Sequence, residues 1–565
     1  MVSKEDLLAK LLPKDDQCLK WLLGRKKARR ADGAGSMSKQ LPLPGAADGE
    51  NTSPVSNRRS FLTKAGVGAA IAAGPIAVAA PAAASGSSSD SVPQAQRFSR
   101  LFPGLEPFAE DSVELQAALL ELGKRGGIMD AKDPLEVGPI RLITEPGLSP
   151  NNRDNPSQSA GMTFVAQFLD HDLTRDAGSV LGKPTDLKDS QNLRTPSFDL
   201  DSVYGGGPRV SPELYTSDEG FFKIESGGLF EDLPRTANGS AIIADPRNDE
   251  NLMIQGIQVA MLKFHNNVMA ALDDNPSRNK RRFIRARRDV RWHWQWLVVN
   301  EFLPRFVGQE MVDDIFKNGF KVFRTDNAQI PVEFSTAAYR FGHSMVRPSY
   351  RANLAGDNGD PFFALVFDPD SRGNADPDDL TGGRRSPRRF IGWQTFFDFN
   401  DGEVRPNKRI DTNISSALMN LPIFTIDGAH GGGGHIQTSL PARNFLRHVT
   451  WGIPSGQDIA REMGVTPLSA ADLSDAADIY EPFGTSTPLF FYILREADLI
   501  NDGLFLGPVG GRIVAETFLA LLRLNKSSYL ARRPNWSPYL PFTGDKFDMT
   551  DLLRFAEVDP DSRGQ

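Results

Sequence analysis

The sequence predicts one large globular domain in which the segments that carry clustered polar side chains are helical. The chain has 565 residues, 40% of them hydrophobic and 24% charged, which is enough apolar material for a large buried core. No internal repeat is present, and no long linker follows residue 100. In the segments with clustered polar residues, apolar residues recur at helical spacing.

The overall charge argues against a nucleic-acid partner. The formal net charge is -7, whereas binding to phosphates requires a surplus of Lys and Arg on one face. The densest basic run, residues 278–291, adjoins Trp292, Trp294 and Trp296. This pattern predicts a partly buried helix with a solvated basic face, and we expect no nucleic-acid partner.

The N-terminal region has the parts of an export signal. Residues 57–64 contain an arginine pair followed by Phe and Leu, and an Ala/Gly-rich stretch and three alanines at 82–84 come next. This order predicts a twin-arginine-type signal peptide over 57–84 and export to the periplasm or the cell exterior. The alternative is an Ala-rich helix that follows two arginines by chance.

The signal divides the chain into segments. We expect a disordered or basic helical extension over 1–56, a flexible linker over 85–94, the main domain over 95–550 and a C-terminal tail over 551–565. The one cysteine, Cys18, lies in the extension, so disulfides are expected to play no part in the fold. Outside the signal no apolar run is long enough to span a bilayer, so the mature chain is not expected to insert into a membrane.

The first polar cluster lies on a predicted helix over residues 161–176. Gln167, Asp170 and His171 project from one face, beside a buried stripe formed by Phe164, Val165, Phe168 and Leu169. Burying such groups costs a few kcal/mol, on the order of 2 to 7, unless each finds a partner, so something polar should face them. A hydrogen-bonded core histidine would produce the same pattern, and the helix alone leaves both interpretations open.

The string Gln167-Phe-Leu-Asp170-His171-Asp172 resembles the distal motif of the animal-type haem peroxidases, in the peroxidase–cyclooxygenase superfamily. The resemblance implies that His171 moves a proton during peroxide cleavage and that Gln167 holds water or halide over the iron. It also implies that Asp170 forms an ester with a haem methyl group and that Asp172 binds calcium.

Oxygen-bearing side chains alternate with apolar ones in the segment that begins at Thr195. Thr195, Ser197, Asp199 and Asp201 offer the hard oxygen ligands that Ca²⁺ prefers, although a solvated turn has the same composition. The segment resembles the calcium loop of the family, with Asp172 completing the site. Asp201 stands where mammalian members carry a serine, so the ligand set is more anionic.

Arg247 and Glu250 lie three residues apart, just ahead of a helical pattern that spans 261–269. Alone they predict a helix N-terminus with acidic residues in its first turn. They also resemble the Arg-x-x-Glu motif of the family. That resemblance implies that Arg247 stabilises charge on the departing oxygen and that Glu250 forms a second ester to haem.

A second predicted helix, residues 335–346, contains Arg340-Phe-Gly342-His343, which resembles the proximal motif. The resemblance implies that His343 ligates the haem iron, and Gly342 would allow a flat macrocycle to approach the backbone. Residues 439–457 resemble the segment that supplies an asparagine to this histidine. This role falls to Asn444, and Arg340 and Arg447 match the arginines that meet haem propionates.

The resemblance covers about residues 95–545, and its motifs occur in the family's order. It implies a mostly α, large single-domain animal haem peroxidase-like fold, with haem b held between the distal and proximal helices. The expected protein is a bacterial member of the family. It would reduce hydrogen peroxide and oxidise a small reducing substrate or a halide through a ferryl intermediate, and it would also bind Ca²⁺.

Two other functions remain open at this stage. A fatty-acid dioxygenase of the same superfamily needs a tyrosine three residues before the proximal ligand, where this chain has Arg340. Tyr339 is one position away, about 100° around a helix. The third possibility is a calcium-stabilised binding protein without catalysis. His430 and His435 flank four glycines and are interpreted as part of a loop, not as metal ligands.

Overall fold

Helices account for most of the regular structure. The computed structural model describes residues 97–216, 220–272, 279–368, 377–422 and 437–565. The α-helices of these residues are α1 (Val113–Leu122), α2 (Pro139–Thr144), α3 (Gly161–Leu173), α4 (Asp201–Tyr204), α5 (Leu252–Ala271), α6 (Asn279–Leu297), α7 (Leu303–Val307), α8 (Gln309–Asn318), α9 (Val332–Thr336), α10 (Gly342–Met345), α11 (Leu440–Trp451), α12 (Gly456–Glu462), α13 (Ser474–Ala477), α14 (Leu489–Asn501), α15 (Pro508–Leu524), α16 (Tyr529–Arg532), α17 (Met549–Phe555) and α18 (Pro560–Arg563). A π-helical turn, Val298–Phe302, joins α6 to α7.

The strands in the described part of the chain are short and form three separate antiparallel pairs. The pairs are β1 (Asp154–Ser159) with β6 (Pro406–Lys408), β2 (Glu225–Ser226) with β3 (Glu231–Asp232), and β4 (Ser349–Arg351) with β5 (Phe363–Leu365). None of these pairs forms a central sheet. The prediction of a mostly α fold is therefore confirmed.

The centre of the molecule is formed by helices that are apolar on almost every side. In α5 and α15 most positions are buried, which is the pattern of a helix surrounded by protein. Glu516 on α15 is a buried exception, and its carboxylate accepts hydrogen bonds from the backbone N–H groups of residues 321–323. The buried carboxylate of Glu516 is therefore satisfied by specific backbone partners.

Helix α3 lies against α5 and carries the first polar cluster. It begins at Gly161, where a Cβ atom would lie 2.4 Å from the Phe397 ring and 2.8 Å from the Phe396 carbonyl oxygen, so only glycine fits. Further along α3, Phe168 is fully buried and packs edge-on against Trp294, with ring centroids 5.6 Å apart. These contacts fix the depth of the helix in the core.

The predicted single helix over 335–346 is wrong, because the segment is broken into short turns. Helix α9 ends at Thr336, a 3-10 turn spans Ala338–Phe341, and α10 begins at Gly342. The break falls at Ala337, whose φ of -129° and ψ of -69° are not helical. Breaking the helix turns the residues around His343 towards a cavity instead of along a continuous helix face.

The structure also corrects the C-terminal boundary. Residues 551–565, expected to form a tail, contribute to α17 and form α18. Helix α17 begins with a capping box between Asp548 and Asp551, and Leu552 and Leu553 are fully buried. The segment is short, but its apolar residues complete the core.

The basic run seen in the sequence lies on α6. Trp292 and Trp294 are buried in the core, and Arg282 donates a hydrogen bond to the Met269 carbonyl oxygen. The segments predicted as extension, export signal and linker, and the pair His430 and His435, lie outside the described residues. Among the described helices, none combines the length and the apolar character needed to cross a membrane.

Candidate active site

A cavity of about 290 Å³ brings together most of the polar residues singled out in the sequence. They come from α3, from the turn before α5, from the broken proximal segment and from α11. The residues are Gln167, Asp170, His171, Arg247, Glu250, Arg340, His343 and Arg447. Two histidines that are 172 positions apart in the chain therefore line one space, which the sequence alone could not establish.

His171 lies in the last turn of α3 and is 5% exposed. Its Nδ1 is 2.8 Å from Oδ1 of Asn248. Burial, together with the nearby Arg247 guanidinium, lowers the pKa of His171 to about 4. The imidazole is therefore neutral near pH 7 and able to accept a proton.

The side chains of Gln167 and Glu250 meet across the cavity. Gln167 donates a hydrogen bond from Nε2 to Oε1 of Glu250, and its Oε1 accepts one from Asn251 at 3.2 Å. The Asp170 carboxylate accepts a hydrogen bond from Thr174 at 2.9 Å. Both carboxylates, Asp170 and Glu250, therefore line the cavity in defined orientations.

Charges around the cavity keep Asp170 ionised. Burial by itself would raise the pKa of this carboxyl group, but the charges of Arg340 and Arg247 outweigh burial and lower it. Nη1 of Arg340 lies 3.8 Å from Oδ2 of Asp170. This ion pair joins the proximal segment directly to the distal helix.

Arg247 is anchored by Asp245, a residue that the sequence analysis did not select. The Asp245 carboxylate accepts hydrogen bonds from Nε and Nη2 of Arg247 at 3.1 and 2.8 Å, and Nη2 also donates to the His171 carbonyl oxygen at 3.0 Å. Asp245 is fully buried and also pairs with Nε of Arg194 at 2.8 Å. Although burial opposes ionisation, Arg247 and Arg194 hold the pKa of Asp245 well below its usual range.

Three of the predicted calcium ligands form one cluster. Carboxylate oxygens of Asp172, Asp199 and Asp201 lie within 4.8 Å of one another. Burial and mutual repulsion raise the pKa of Asp172 and raise that of Asp199 to about 6. One oxygen each of Asp199 and Asp201 is buried without a hydrogen-bond partner in the described structure. A divalent cation would satisfy these oxygens and neutralise the repulsion, so the residues fit such an ion.

The two hydroxyl residues of this loop differ in their placement. The Thr195 N–H donates to Oδ2 of Asp201 at 2.9 Å, so this residue lies at the cluster. Oγ of Ser197 accepts a hydrogen bond from Asn525 instead. The cluster connects to the cavity through Arg194, whose Nη1 is 3.6 Å from Oδ1 of Asp201 and which also pairs with Asp245.

On the proximal side, Nδ1 of His343 is 2.8 Å from the side-chain amide of Asn444 on α11. Burial, followed by the Arg340 charge, lowers the pKa of His343 to about 3, so its ring is neutral. The contacting atom of Asn444 is its amide nitrogen, Nδ2; a bare Nε2 requires the proton on Nδ1 and the Asn444 amide turned so that its oxygen accepts that proton's hydrogen bond. An imidazole held in this way suits an axial ligand of haem iron.

Gly342 gives a direct test of whether a flat cofactor fits. Its backbone is ordinary helical, with φ of -56°, so no unusual conformation requires a glycine. A Cβ atom added there would contact nothing closer than the Met345 Cε atom, at 4.0 Å. Gly342 therefore borders open cavity beside His343, which is the space that a macrocycle lying against the backbone would occupy. The residues present fit a haem.

The two arginines matched to haem propionates also line this cavity. Nε of Arg340 donates to the Ser335 carbonyl oxygen at 2.8 Å, and Nη1 of Arg447 pairs with Asp176 at 2.6 Å. Both guanidinium groups are thus held in place by protein contacts. Fixed cations of this kind suit the carboxylates of an anionic cofactor.

Tyr339 lines the cavity as well, although the sequence analysis gave it no catalytic role. Its hydroxyl group donates to the Ala166 carbonyl oxygen on α3 at 3.2 Å, and its ring stacks on Phe334 with centroids 4.8 Å apart. Burial, with the nearby Asp170 charge, raises the pKa of Tyr339. The phenol is therefore neutral and fixed beside the distal helix.

The chain is similar in sequence to known proteins. Residues 171–361 match the family model described as animal haem peroxidase. Chorion peroxidase from Aedes aegypti is 28% identical over 356 residues, covering 60% of this chain and 41% of the relative. Thyroid peroxidase from Homo sapiens is 25% identical over 205 residues, covering 32% of this chain and 22% of the relative. The aligned part of the chain thus spans about two fifths or less of these curated relatives.

The fold is also similar to that of a solved structure. Peroxidase A from Dictyostelium discoideum aligns with a TM-score of 0.53 and 17% sequence identity, covering 83% of this chain and 91% of that chain. The helical fold and the two-histidine cavity define the class, a helical protein whose central cavity fits haem. More particularly, the part of the chain that contains both histidines, residues 171–361, matches the animal haem peroxidase family.

Proposed function

We propose that this protein is a haem-dependent peroxidase that reduces hydrogen peroxide and oxidises small organic donors or halides. One observation carries the proposal: His171, Arg247 and His343 line the same cavity. When bound, haem b would supply the redox chemistry, and the protein would supply an iron ligand, a proton carrier and a fixed positive charge. His343 would hold the iron through Nε2, and Asn444 would fix the orientation of its ring.

The distal residues have separate tasks in this proposal. The neutral His171 takes a proton from the nearer oxygen of hydrogen peroxide and returns it to the farther oxygen, a contribution of about 10² to 10⁴-fold. Arg247 stabilises the negative charge that develops on the departing oxygen, a contribution of about 2.7 to 4 kcal/mol for one donor. Gln167, held by Glu250 and Asn251, offers its amide to water or halide in the cavity.

Replacement of the two histidines tests the proposal. His171→Ala should bind haem but react with hydrogen peroxide about 10² to 10⁴-fold more slowly in stopped-flow absorbance measurements. His343→Ala should lose most of its haem, which is measured from the Soret band after reconstitution. A wild-type rate in His171→Ala, with haem bound, removes this residue from the reaction. Absence of a Soret band in the wild-type protein would instead favour a binding protein without catalysis.

We also propose that Asp170 and Glu250 form ester links to haem. Both carboxylates line the cavity and are held in place by hydrogen bonds. After turnover with peroxide, haem should stay with the protein during extraction by acidified organic solvent, and it should be released from a variant with both Asp170→Asn and Glu250→Gln. Complete extraction from the wild-type protein counts against the links.

The acidic cluster is proposed to bind Ca²⁺. Support comes from the buried oxygens of Asp199 and Asp201 that accept no hydrogen bond among the described residues and from the position of Asp172 next to His171. A bound cation would hold the end of α3 and therefore the position of His171. Elemental analysis of the purified protein should find about one calcium per chain, and Asp199→Asn with Asp201→Asn should remove it.

Export by a twin-arginine signal over residues 57–84 is proposed from the sequence. Replacing both Arg58 and Arg59 by lysine should keep the protein in the cytoplasm of an expressing bacterium. The unaltered chain should be recovered from the periplasm or the medium, with an N-terminus near residue 85. Equal export of both forms would contradict the proposal.

A second candidate function rests on Tyr339. Oxygenation of a fatty acid requires an oxidisable tyrosine beside the haem, and the Tyr339 ring lines the cavity. Its hydroxyl group is engaged with the Ala166 carbonyl oxygen, which favours a packing role. Oxygen uptake with linoleate that is lost in Tyr339→Phe would support the dioxygenase, and no uptake would leave the peroxidase as the better account.

A further inference from the structure

The nitrogen of His171 that faces away from the cavity is held by a chain of two buried amides. Nδ1 of His171 lies 2.8 Å from Oδ1 of Asn248, and Nδ2 of Asn248 donates to Oε1 of Gln258 at 2.9 Å. Asn248 and Gln258 are both fully buried. In this arrangement the Asn248 amide presents its oxygen to the imidazole and its nitrogen to Gln258, whose own Nε2 is buried without a hydrogen-bond partner among the described residues.

Each amide projects from a regular element of the backbone. Asn248 lies in the 3-10 turn Pro246–Asp249, in which its N–H donates to the Asp245 carbonyl oxygen at 3.1 Å. Gln258 lies on α5, whose first turn is capped by the Asn251 side chain. The acceptor for His171 is therefore presented by a rigid turn and braced from a central helix.

We propose that Asn248, braced by Gln258, is a positioning residue that holds His171 with its proton on Nδ1 and its unprotonated Nε2 towards the cavity. This inference rests on the proposed role of His171 as the proton acceptor. A neutral imidazole carries its proton on either nitrogen, and only the form with a bare Nε2 can take a proton from peroxide in the cavity. Accepting the Nδ1–H bond selects that form and also fixes the ring orientation.

The test variants each remove one hydrogen-bonding group of the Asn248 or Gln258 amide. Asn248→Leu keeps the size of the side chain and removes the acceptor, whereas Asn248→Asp keeps an acceptor oxygen and removes the donor. Gln258→Leu removes the brace. Gln255→Leu is the matched control, because Gln255 is an equally buried glutamine one turn earlier on α5 and bonds to Asp232 instead.

The first measurement is the second-order rate constant for reaction with hydrogen peroxide. It should fall about 10- to 100-fold in Asn248→Leu, by a smaller factor in Gln258→Leu, and return towards the wild-type value in Asn248→Asp. Gln255→Leu should keep the wild-type rate. Rescue by aspartate separates an acceptor role from general packing, since a misfolded turn would not be restored by a buried charge.

The second measurement reads the proton position without turnover. In haem-loaded protein labelled with ¹⁵N-histidine and held in the diamagnetic ferrous carbon monoxide form, His171 is assigned among the seven histidines by its loss in His171→Ala. The nitrogen shifts should show a protonated Nδ1 in the wild type and a mixture of both forms in Asn248→Leu. A proton on Nε2 in the wild type, or no change in Asn248→Leu, overturns the inference.

The two proposals fail in different ways. If His171→Ala reacts with peroxide at the wild-type rate, the proposed peroxidase mechanism fails, and so does the catalytic part of this inference. If His171→Ala is slow while Asn248→Leu keeps both the wild-type rate and the wild-type nitrogen shifts, the mechanism stands and Asn248 has no positioning role.

Discussion

Asp245 offers the sharpest test of how the His171 side of the cavity is held together, because its buried carboxylate pairs with two arginines. Its oxygens accept from the backbone N–H of Arg247 at 3.0 Å and from the guanidinium group of that residue at 3.1 and 2.8 Å. Arg194 pairs with it at 2.8 Å. The substitution Asp245→Asn removes the charge, keeps the shape and leaves both arginines without their common partner.

The expected loss of unfolding free energy in Asp245→Asn follows from the burial of the three side chains. The Asp245 side chain is 0% exposed, and those of Arg247 and Arg194 are 15% and 10% exposed. Removing one partner of a buried ion pair costs about 3 to 5 kcal/mol. Asparagine keeps one acceptor oxygen, and the arginines keep some water contact. We therefore expect Asp245→Asn to lower the free energy of unfolding by about 3 kcal/mol, near the lower end of this range.

The stabilisation by the Asp245 carboxylate should be lost as the pH falls. The folded pKa of Asp245 is lowered, so the carboxylate stabilises the fold above its unfolded pKa of about 3.9, and this contribution is lost as pH falls towards the folded value. Urea titrations of the haem-loaded protein should therefore separate the wild type from Asp245→Asn at pH 7. The free energies of unfolding of the two proteins should approach each other as the pH falls below about 4.

The catalytic consequence is tested with the same variant. Without Asp245, Arg247 loses its anchor, so the rate constant with hydrogen peroxide should fall about 10-fold or more, a modest part of what one charge-stabilising donor contributes. Asp249→Asn is the control, because Asp249 lies in the same turn but pairs with Arg235 at 2.8 Å. It should lose stability and keep the peroxide rate. A loss below about 1 kcal/mol together with a wild-type rate in Asp245→Asn would refute the anchoring role.

Three further predictions follow from other parts of the structure. Ca²⁺ should raise the thermal midpoint of the chelator-treated protein, and Asp201→Asn should abolish most of that rise in differential scanning calorimetry. Burial raises the pKa of Glu496 to about 7. The wild-type free energy of unfolding should therefore decline by up to about 1.4 kcal/mol per pH unit between about pH 4.5 and 7. Glu496→Gln should flatten this decline in urea titrations. Phe168→Ala should cost about 3 to 5 kcal/mol of unfolding free energy, because Phe168 is fully buried against Trp294; a loss below about 1 kcal/mol would contradict that packing.

The residues that carry the proposed chemistry could be named from the sequence because they stand in short local strings. Gln167, Asp170 and His171 share one helix face through the geometry of the α-helix, and α3 begins at Gly161 as the pattern predicted. The mostly α fold was what the resemblance of these strings to the animal-type haem peroxidases implies. Such a resemblance is visible in the sequence because each motif lies within a few turns.

Other features escaped the sequence analysis because they depend on contacts between distant residues. The proximal segment was predicted as one helix, yet the chain breaks at Ala337 to turn His343 towards the cavity. Residues 551–565 are predicted as a C-terminal tail, yet Leu552 and Leu553 in this segment are fully buried. Composition and spacing carry no information on which buried surface a short apolar segment will cover.

The partners of the site residues were the hardest to foresee. Asn248 follows Arg247 directly, and Asp245 precedes it by two positions, but nothing in the local pattern shows which side chain turns towards His171. The sequence by itself determined the resemblance to the animal-type haem peroxidases, the helical class that it implies and the identity of the chemical groups. Only the tertiary structure decided that the two histidines line one cavity and which buried amide and carboxylate hold the distal residues, because those contacts arise when segments far apart in the chain pack together.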